Sequence, residues 1–428
     1  MHLHNFVIEN IRSIKKLRWE VPRQKEAGWH VIIGDNGSGK SSVIRSLALA
    51  FVGPQQSGAL REDFGNWLRR EENSGRIAVN LDHHRDFDRF SGRGRPVERY
   101  YLLVSLHLKR VNGYVRLLES WSPVKPDRHI WGGKAGWFSA SYGPFRRFTG
   151  GDKELEKLFY SNPRLARHLS IFGESVALTE SLKWLQELKF KQLEKVKEGG
   201  LLDLVTDFVN QGDLLPNNVR LREISSSGVM FVDGNGCEVA VENLSDGYRS
   251  ILSMTFELIR QLSAAFESHH IFDPKDTSKV ISPGVVLIDE IDAHLHPTWQ
   301  RKVGLWFRKY FPKMQFIVAT HSPLICQAAD AGSVFRLAKP GSEQPSAMIE
   351  GDELNRLIYG NVLDAYSTEA FGPDVTRSDE SRRRLKRLAE LNRKELRGKL
   401  SGAERKERDR LRLTMPTAAH TTDAMAAE

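Results

Sequence analysis

The residues Gly34-Asp35-Asn36-Gly37-Ser38-Gly39-Lys40-Ser41 fit the pattern G-x-x-x-x-G-K-[ST] at every position. Glycines at these places let backbone N–H groups close around phosphate oxygens, and a following helix adds the favourable end of its dipole. Asn36, Gly37, Ser38, Gly39, Lys40, Ser41 and Ser42 then form a nucleotide cradle. Lys40 reaches the β- and γ-phosphates, and the Ser41 hydroxyl ligates Mg2+. Far downstream, the apolar run Val285–Ile288 ends in Asp289 and Glu290. A buried strand would deliver Asp289 to its carboxyl edge, where ligands sit in open α/β sheets. Asp289 would hold Mg2+ through water, and Glu290 would polarise the attacking water. Phosphoryl transfer asks mainly for such positioning and charge stabilisation. Two weaker signals accompany them. Thr320-His321-Ser322 breaks another apolar run, and Leu244-Ser245-Asp246-Gly247 opens a helical pattern. Ser245 suits an N-cap, and Gly247 permits close approach of a ligand.

Each motif alone has a bland reading: a glycine turn, an acidic strand end, a polar strand end, a capped helix. The elements around them decide otherwise. Strands are expected at Leu3–Ile8, Ile14–Val21 and Trp29–Ile33, the last running into the glycine loop and a helix over Ser41–Phe51. Short strand-like runs broken by Gly, Pro and Ser fill Ile77–Phe148, and Asp152–Asp213 turns helical, with starts at Asn162-Pro163 and Thr179. Strands resume at Val219–Ile224 and Val229–Val232, followed by a helix over Ser250–Leu262. Gly284–Ile288 and Gln315–Ala319 read as fully buried strands of a parallel sheet. Ser401 and Glu404 make a capping box for a helix over Gly402–Leu413, after one over Arg382–Leu396; residues 415–428 are small, polar and expected to be disordered.

Glycine loop, Leu-Ser-Asp-Gly, acidic pair and strand–histidine, in this order, resemble the ABC-type ATPases. The resemblance covers about residues 1–340 and points to the AAA-family branch with SMC, RecF and OLD-like proteins. It implies that His321 is the switch histidine at the γ-phosphate, and that Ser245 and Gly247 belong to a signature that meets the ATP held by another protomer. The stretch Ile8-Glu9-Asn10-Ile11-Arg12-Ser13 looks like the N-terminal strand motif of RecF and SMC proteins, whose arginine approaches the nucleotide. Ile291-Asp292-Ala293-His294-Leu295-His296-Pro297 resembles a segment of OLD-like defence ATPases, with His296 where transporter-type members carry an aspartate. No glutamine takes the Q-loop place: Gln55 and Gln56 come too soon, and the turn Tyr142–Arg147 is the candidate region. No TOPRIM nuclease motif follows His321. Lone ATPases of this kind resemble the PtuA group of Septu and retron-linked antiphage systems, which work with a separate HNH nuclease.

The expected fold is α/β. It is an ABC-ATPase head, a P-loop parallel sheet with helices plus an antiparallel β lobe, carrying a helical insertion and a helical C-terminal tail. The domains read as 1–150, lobe I with the P-loop and β subdomain; 151–215, the helical insertion; and 216–345, lobe II with signature, acidic pair and histidine. A basic helical region over 346–414 and a disordered tail over 415–428 follow. ATP and Mg2+ are the expected cofactors. A homodimer or higher homo-oligomer through head-to-tail ATP sites, a separate nuclease subunit and DNA are the expected partners. The competing classes are an ATP-bound scaffold with little turnover, a RecF/SMC-like repair ATPase and a transporter subunit.

Composition narrows this further. The formal net charge is +9, and Arg377–Arg412 alone carries 15 Lys/Arg against 7 Asp/Glu. The basicity therefore belongs to one segment, not to the whole surface. No apolar run nears the ~18 residues of a membrane span, and the N-terminus lacks signal-peptide order, so no membrane partner is expected. Two distant cysteines, Cys237 and Cys326, suggest no disulfide framework, in keeping with a cytoplasmic location.

Overall fold

Burial along the strands separates two kinds of sheet. β1 (His2–Ile11) and β2 (Ile14–Glu20) largely alternate buried and open positions, the pattern of a sheet covered on one face. They join β4 (Ser74–Asp82), β5 (Tyr101–Val111) and β6 (Tyr114–Glu119) in an antiparallel sheet of order β2-β1-β4-β5-β6. β3 (Gly28–Ile33), β13 (Gly284–Ile288) and β14 (Met314–Ala319) are buried at every residue. They lie inside a six-stranded sheet, β16-β15-β3-β14-β13-β7, whose other members are β7 (Ser139–Tyr142), β15 (Gly332–Arg336) and β16 (Ala347–Ile349). All pairings in it are parallel except β15 with β16. A small sheet of β8 (Arg220–Ser225), β9 (Gly228–Val232) and β10 (Glu238–Ala240) and the pair β11 (Phe272–Asp273) with β12 (Asp276–Val280) complete the β structure.

This computed structural model describes residues 1–414 except 23, 61, 93–100, 150, 153–156, 174–175, 177, 212–213, 216, 343, 367 and 369–377. The tail 415–428 and Arg377 lie outside the described residues. Two compact units divide at Gly360 and Asn361. Strand β16, read with the C-terminal region, falls in the first unit and pairs with β15.

Three neighbouring strands set the site. Register pairs Ile32 with Ala319 and Ile288 with Val318, so β3, β14 and β13 end together. The P-loop, the acidic pair and the Thr320-His321 turn leave from those three ends. α1 (Lys40–Val52) starts directly after Gly39. Two helices of the insertion, α2 (Glu180–Leu193) and α3 (Leu201–Gln211), precede the small sheet. α4 (Asp246–Ala265) begins directly after Ser245, a turn earlier than the expected helix from Ser250. Ser245 holds the N-cap position without a side-chain capping bond. α5 (Pro297–Tyr310) follows the acidic pair. The strand-like run Ile77–Phe148 contributes to both large sheets, β4, β5 and β6 to the antiparallel one and β7 to the parallel one. Ser139–Tyr142 is buried throughout and pairs with β13, because its short run of apolar and small residues suits an edge covered on both faces.

The second unit holds α6 (Asp379–Leu396) and α7 (Gly402–Thr414). The Ser401–Glu404 capping box forms reciprocally, at 3.0 and 3.2 Å. Arg387 grips both carboxylate oxygens of Glu407 at 3.0 Å, and Lys394 with Glu404, Arg408 with Glu395 and Arg412 with Glu395 also pair. Among the described residues, no helix is long and apolar enough to cross a membrane.

Candidate active site

The glycine loop is built for close approach. Gly39 sits at φ +100, and a Cβ there would stand 2.8 Å from the Ser13 hydroxyl, so the turn carrying Arg12 and Ser13 packs against the loop. Lys40 is buried, and its Nζ donates to the carbonyls of Gly34 at 2.8 Å and Asp35 at 3.2 Å. Burial lowers its ammonium pKa, while Asp289, Glu290 and Asp292 oppose the shift. The Ser38 hydroxyl is buried without a hydrogen-bond partner. Asn36 and Gly37 lie open to solvent at the tip, and Ser42 is buried behind it.

Across from the loop, Asp289 is 2% exposed and its Oδ1 has no partner. Burial raises its carboxyl pKa, against a hydrogen bond from Ser41 and the charges of Arg45, Arg146 and Lys40. A buried carboxylate with a free oxygen, facing a serine hydroxyl, is a hard-oxygen donor set of the kind Mg2+ takes. Glu290 adopts φ +46, a left-handed conformation that costs a non-glycine residue about 1–3 kcal/mol.

What holds that turn is Arg146, to which the sequence assigned no role. It is 4% exposed. Its guanidinium donates to the carbonyls of Gly143 (2.9 Å), Asp289 (3.0 Å), Glu290 (3.1 Å) and Ile291 (3.4 Å), and to the Ser250 hydroxyl (2.9 Å). Ser250 lies in the first turns of α4, so one buried cation joins the acidic turn to the helix that starts after Ser245. Burial brings Arg146 down to about 10, with Asp292, Asp289 and Glu290 opposing. The legible signal was a basic residue four places after the buried strand β7.

His321 is exposed at the end of β14; partial burial, then Lys40, lowers its pKa and favours the neutral ring. Its turn is tied to the acidic segment. The Thr320 hydroxyl donates to Asp292, the Ser322 hydroxyl to Gln300 Oε1 at 2.7 Å, and the Ile291 amide to the Ala319 carbonyl at 3.2 Å.

Ser245 and Gly247 open into a different cavity, of about 660 Å3, with Tyr248, His294 and Trp299 in its wall and no P-loop residue. Gly247 is needed for contact: a Cβ would lie 2.9 Å from the His294 carbonyl. His296 caps α5 by accepting from the Thr298 amide. Arg12 stacks over the Trp67 ring at 4.6 Å; burial, then Arg45, lowers its pKa, with Glu62 opposing.

A family model described as "AAA domain, putative AbiEii toxin, Type IV TA system" matches residues 80–327, more than half of the sequence. The chain belongs to this family. The match takes in the Leu244–Gly247 motif, the acidic pair and His321, and begins after the P-loop. This AAA-domain chain also resembles the Septu protein PtuA of Bacillus mycoides (strain KBAB4), 26% identical over 341 residues, covering 76% of the chain and 39% of the relative. It resembles the Retron Ec83 probable ATPase of Escherichia coli, 36% identical over 108 residues, covering 25% and 19%. The chain spans 19% to 40% of the length of these and two further curated relatives. Among solved structures, an SMC head bound to the C-winged helix domain of ScpA superposes with TM-score 0.48 at 14% identity, covering 82% of this chain and 99% of that one.

Proposed function

We propose that this AAA-domain chain binds and hydrolyses ATP, and that two copies complete each other's sites to gate a separate nuclease in antiphage defence. The observation that carries the first part is the set of unsatisfied polar groups around the strand ends. Lys40 is buried and bonded only to carbonyls of its own loop, the Ser38 hydroxyl is orphaned, and Asp289 keeps a free oxygen. Buried polar groups without partners cost about 1–3 kcal/mol each, so such a cluster is a site for a ligand that satisfies them.

In this reading the loop amides from Asn36 to Ser42 surround the phosphates, and the Lys40 ammonium binds the β- and γ-phosphates. Ser41 and Asp289 would hold Mg2+, which supplies charge neutralisation on the phosphate oxygens. Glu290 orients the attacking water and draws off its developing proton. The neutral His321 ring donates a hydrogen bond at the γ-phosphate. Arg146 is a positioning residue that keeps the Asp289–Glu290 turn in its left-handed conformation. Ser245 and Gly247 line a cavity that contains no P-loop residue of their own chain, and would act on the ATP of the other copy. Arg12, packed beside the loop, would approach the nucleotide from the N-terminal turn. The names of the relatives, Septu PtuA and retron ATPases, support the defence role and, through it, a nuclease partner.

The test is Glu290→Gln. Removing a water-positioning carboxylate should slow single-turnover hydrolysis at least ~100-fold while ATP still binds and a closed dimer accumulates. Unchanged turnover would remove Glu290 from the reaction.

A further inference from the structure

A second cavity, of about 550 Å3, lies in the first unit away from the P-loop. Its wall includes Gln56, which follows α1, and Gln261 near the end of α4. α1 has 13 residues, so at ~1.5 Å per residue Gln56 stands roughly 20 Å beyond Lys40. Cations converge there. Lys134, Arg164, Arg167 and Arg260 line the cavity, and no carboxylate does so among the described residues.

The four are not equivalent. Arg260 is neutralised by Glu257. Arg164 turns two nitrogens to the carbonyls of Val52 (2.6 Å) and Trp131 (2.5 Å), which secures the end of α1 and leaves one face of the fork. Arg167 has no such outlet. Its Nη1 is cut off from solvent and has no hydrogen-bond partner, and it stacks only on the Phe138 ring at 5.7 Å. Burial, then the like charge of Arg164, pulls its pKa down to about 10, and no acid compensates. The position is fixed, not frayed. The Arg167 carbonyl accepts from the Ser141 amide at 2.9 Å, and the adjacent His168 ring is held between the hydroxyls of Ser139 and Ser141 at 3.0 and 2.9 Å. Opposite, the loop Gly132–Gly136 presents Lys134 to solvent, with Gly133 and Gly136 at positive φ. The amides of Gly133, Lys134 and Ala135 donate to no carbonyl among the described residues.

We propose that this cavity is a second anion site, distinct from the P-loop, which takes the phosphate group of a nucleotide. The part-buried Arg167 guanidinium, the remaining nitrogen of Arg164, one ammonium and a glycine loop with open amides offer more donors than a carboxylate has oxygens, and suit the larger oxygen set of a phosphate. The volume leaves room for the nucleoside that carries it. The phosphate comes from a free nucleotide or from the 5′ end of a nucleic acid. The inference does not rest on the ATPase reading, because its test uses a chain with a disabled P-loop.

The experiment is calorimetry on the full chain carrying Lys40→Ala. The probes are pyrophosphate, ADP, a 5′-phosphorylated oligonucleotide and the same oligonucleotide with a 5′-hydroxyl. One equivalent of pyrophosphate should bind, and Arg167→Gln should weaken it at least tenfold. Lys134→Gln, on an exposed loop where the fold is not at stake, should weaken it severalfold. ADP binding identifies a free nucleotide. Binding of the phosphorylated but not the hydroxyl oligonucleotide identifies a nucleic-acid end. Either supports the site. The proposal is overturned if no phosphate probe binds, or if Lys134→Gln leaves binding unchanged, whether or not Arg167→Gln folds.

Discussion

Two regions of this protein are dense in charge, and they treat it in opposite ways. In the helical pair of the second unit, cations meet carboxylates. Arg387 forks onto Glu407, and the Lys394 ammonium, with the Ser401 amide and hydroxyl, holds Glu404 down at about 2. At the strand ends of the first unit, groups are left open. Asp289 has its pKa raised by burial, its Oδ1 is unpartnered, and Lys40 is bonded to carbonyls only. Side chains satisfied within the chain hold a surface together and leave little for a ligand. Groups held buried and unsatisfied are worth their cost only if something arrives to complete them.

The sharpest way to break that comparison is Lys40→Ala. If the open ammonium exists for phosphates, its loss should cost about 2–4 kcal/mol, roughly 30- to 1,000-fold in the Kd for ATP. Wild-type affinity by calorimetry would mean that the buried lysine is structural.

Next comes the proposed shared site at Ser245. Ser245 is exposed and opens into a cavity without P-loop residues. Ser245→Arg should therefore stop hydrolysis and leave ATP binding to the same chain intact. Mixing it with the Lys40→Ala chain should restore part of the activity, since one site per mixed dimer keeps both halves. No rescue at any ratio, with mixed dimers demonstrated, would refute a shared site.

Arg146→Lys is subtler. It keeps the charge and loses the fork that spans Asp289, Glu290 and Ser250. Losing hydrogen bonds worth about 1–2 kcal/mol at the acidic turn should lower kcat around tenfold with little change in ATP affinity. A change in Kd alone would show that Arg146 serves packing and not the position of Glu290.

The smallest effect on hydrolysis belongs to the helical pair. Truncation after Pro373, itself outside the described residues, removes neither the P-loop nor the acidic pair. The rate should stay within about twofold, under ~0.5 kcal/mol in barrier. Any DNA binding or co-purification with a nuclease that depends on the excess cations should fall, the loss of DNA binding being larger at low salt, where the cations are least screened. If both survive, the pair is a self-satisfied appendage.

Much of this site was legible because its residues are local in sequence. A glycine loop between strand and helix, and two acids after an unbroken apolar strand, carry their geometry in a few consecutive residues, and Gly284–Ile288 forms the expected strand residue for residue. The capping box at Ser401 was equally local. Arg146 was not. Its meaning lies in carbonyls more than 140 residues away, and no spacing rule connects an arginine to a backbone oxygen. The sheet that Ser139–Tyr142 joins was illegible for the same reason, since four small or apolar residues do not specify which sheet edge they will join.

By itself, the sequence determined which residues could handle phosphate, the strands and helices that carry them, and the segment that concentrates the positive charge. Those properties follow from residue type and short-range periodicity. Only the tertiary structure decided that β3, β14 and β13 end side by side, that Arg146 bridges the acidic turn and α4, and that the part-buried Arg167 has one nitrogen cut off from solvent without a partner. Strand order and the solvation of a charge depend on contacts between distant parts of the chain, and a hydrogen bond or its absence exists only once those parts have met.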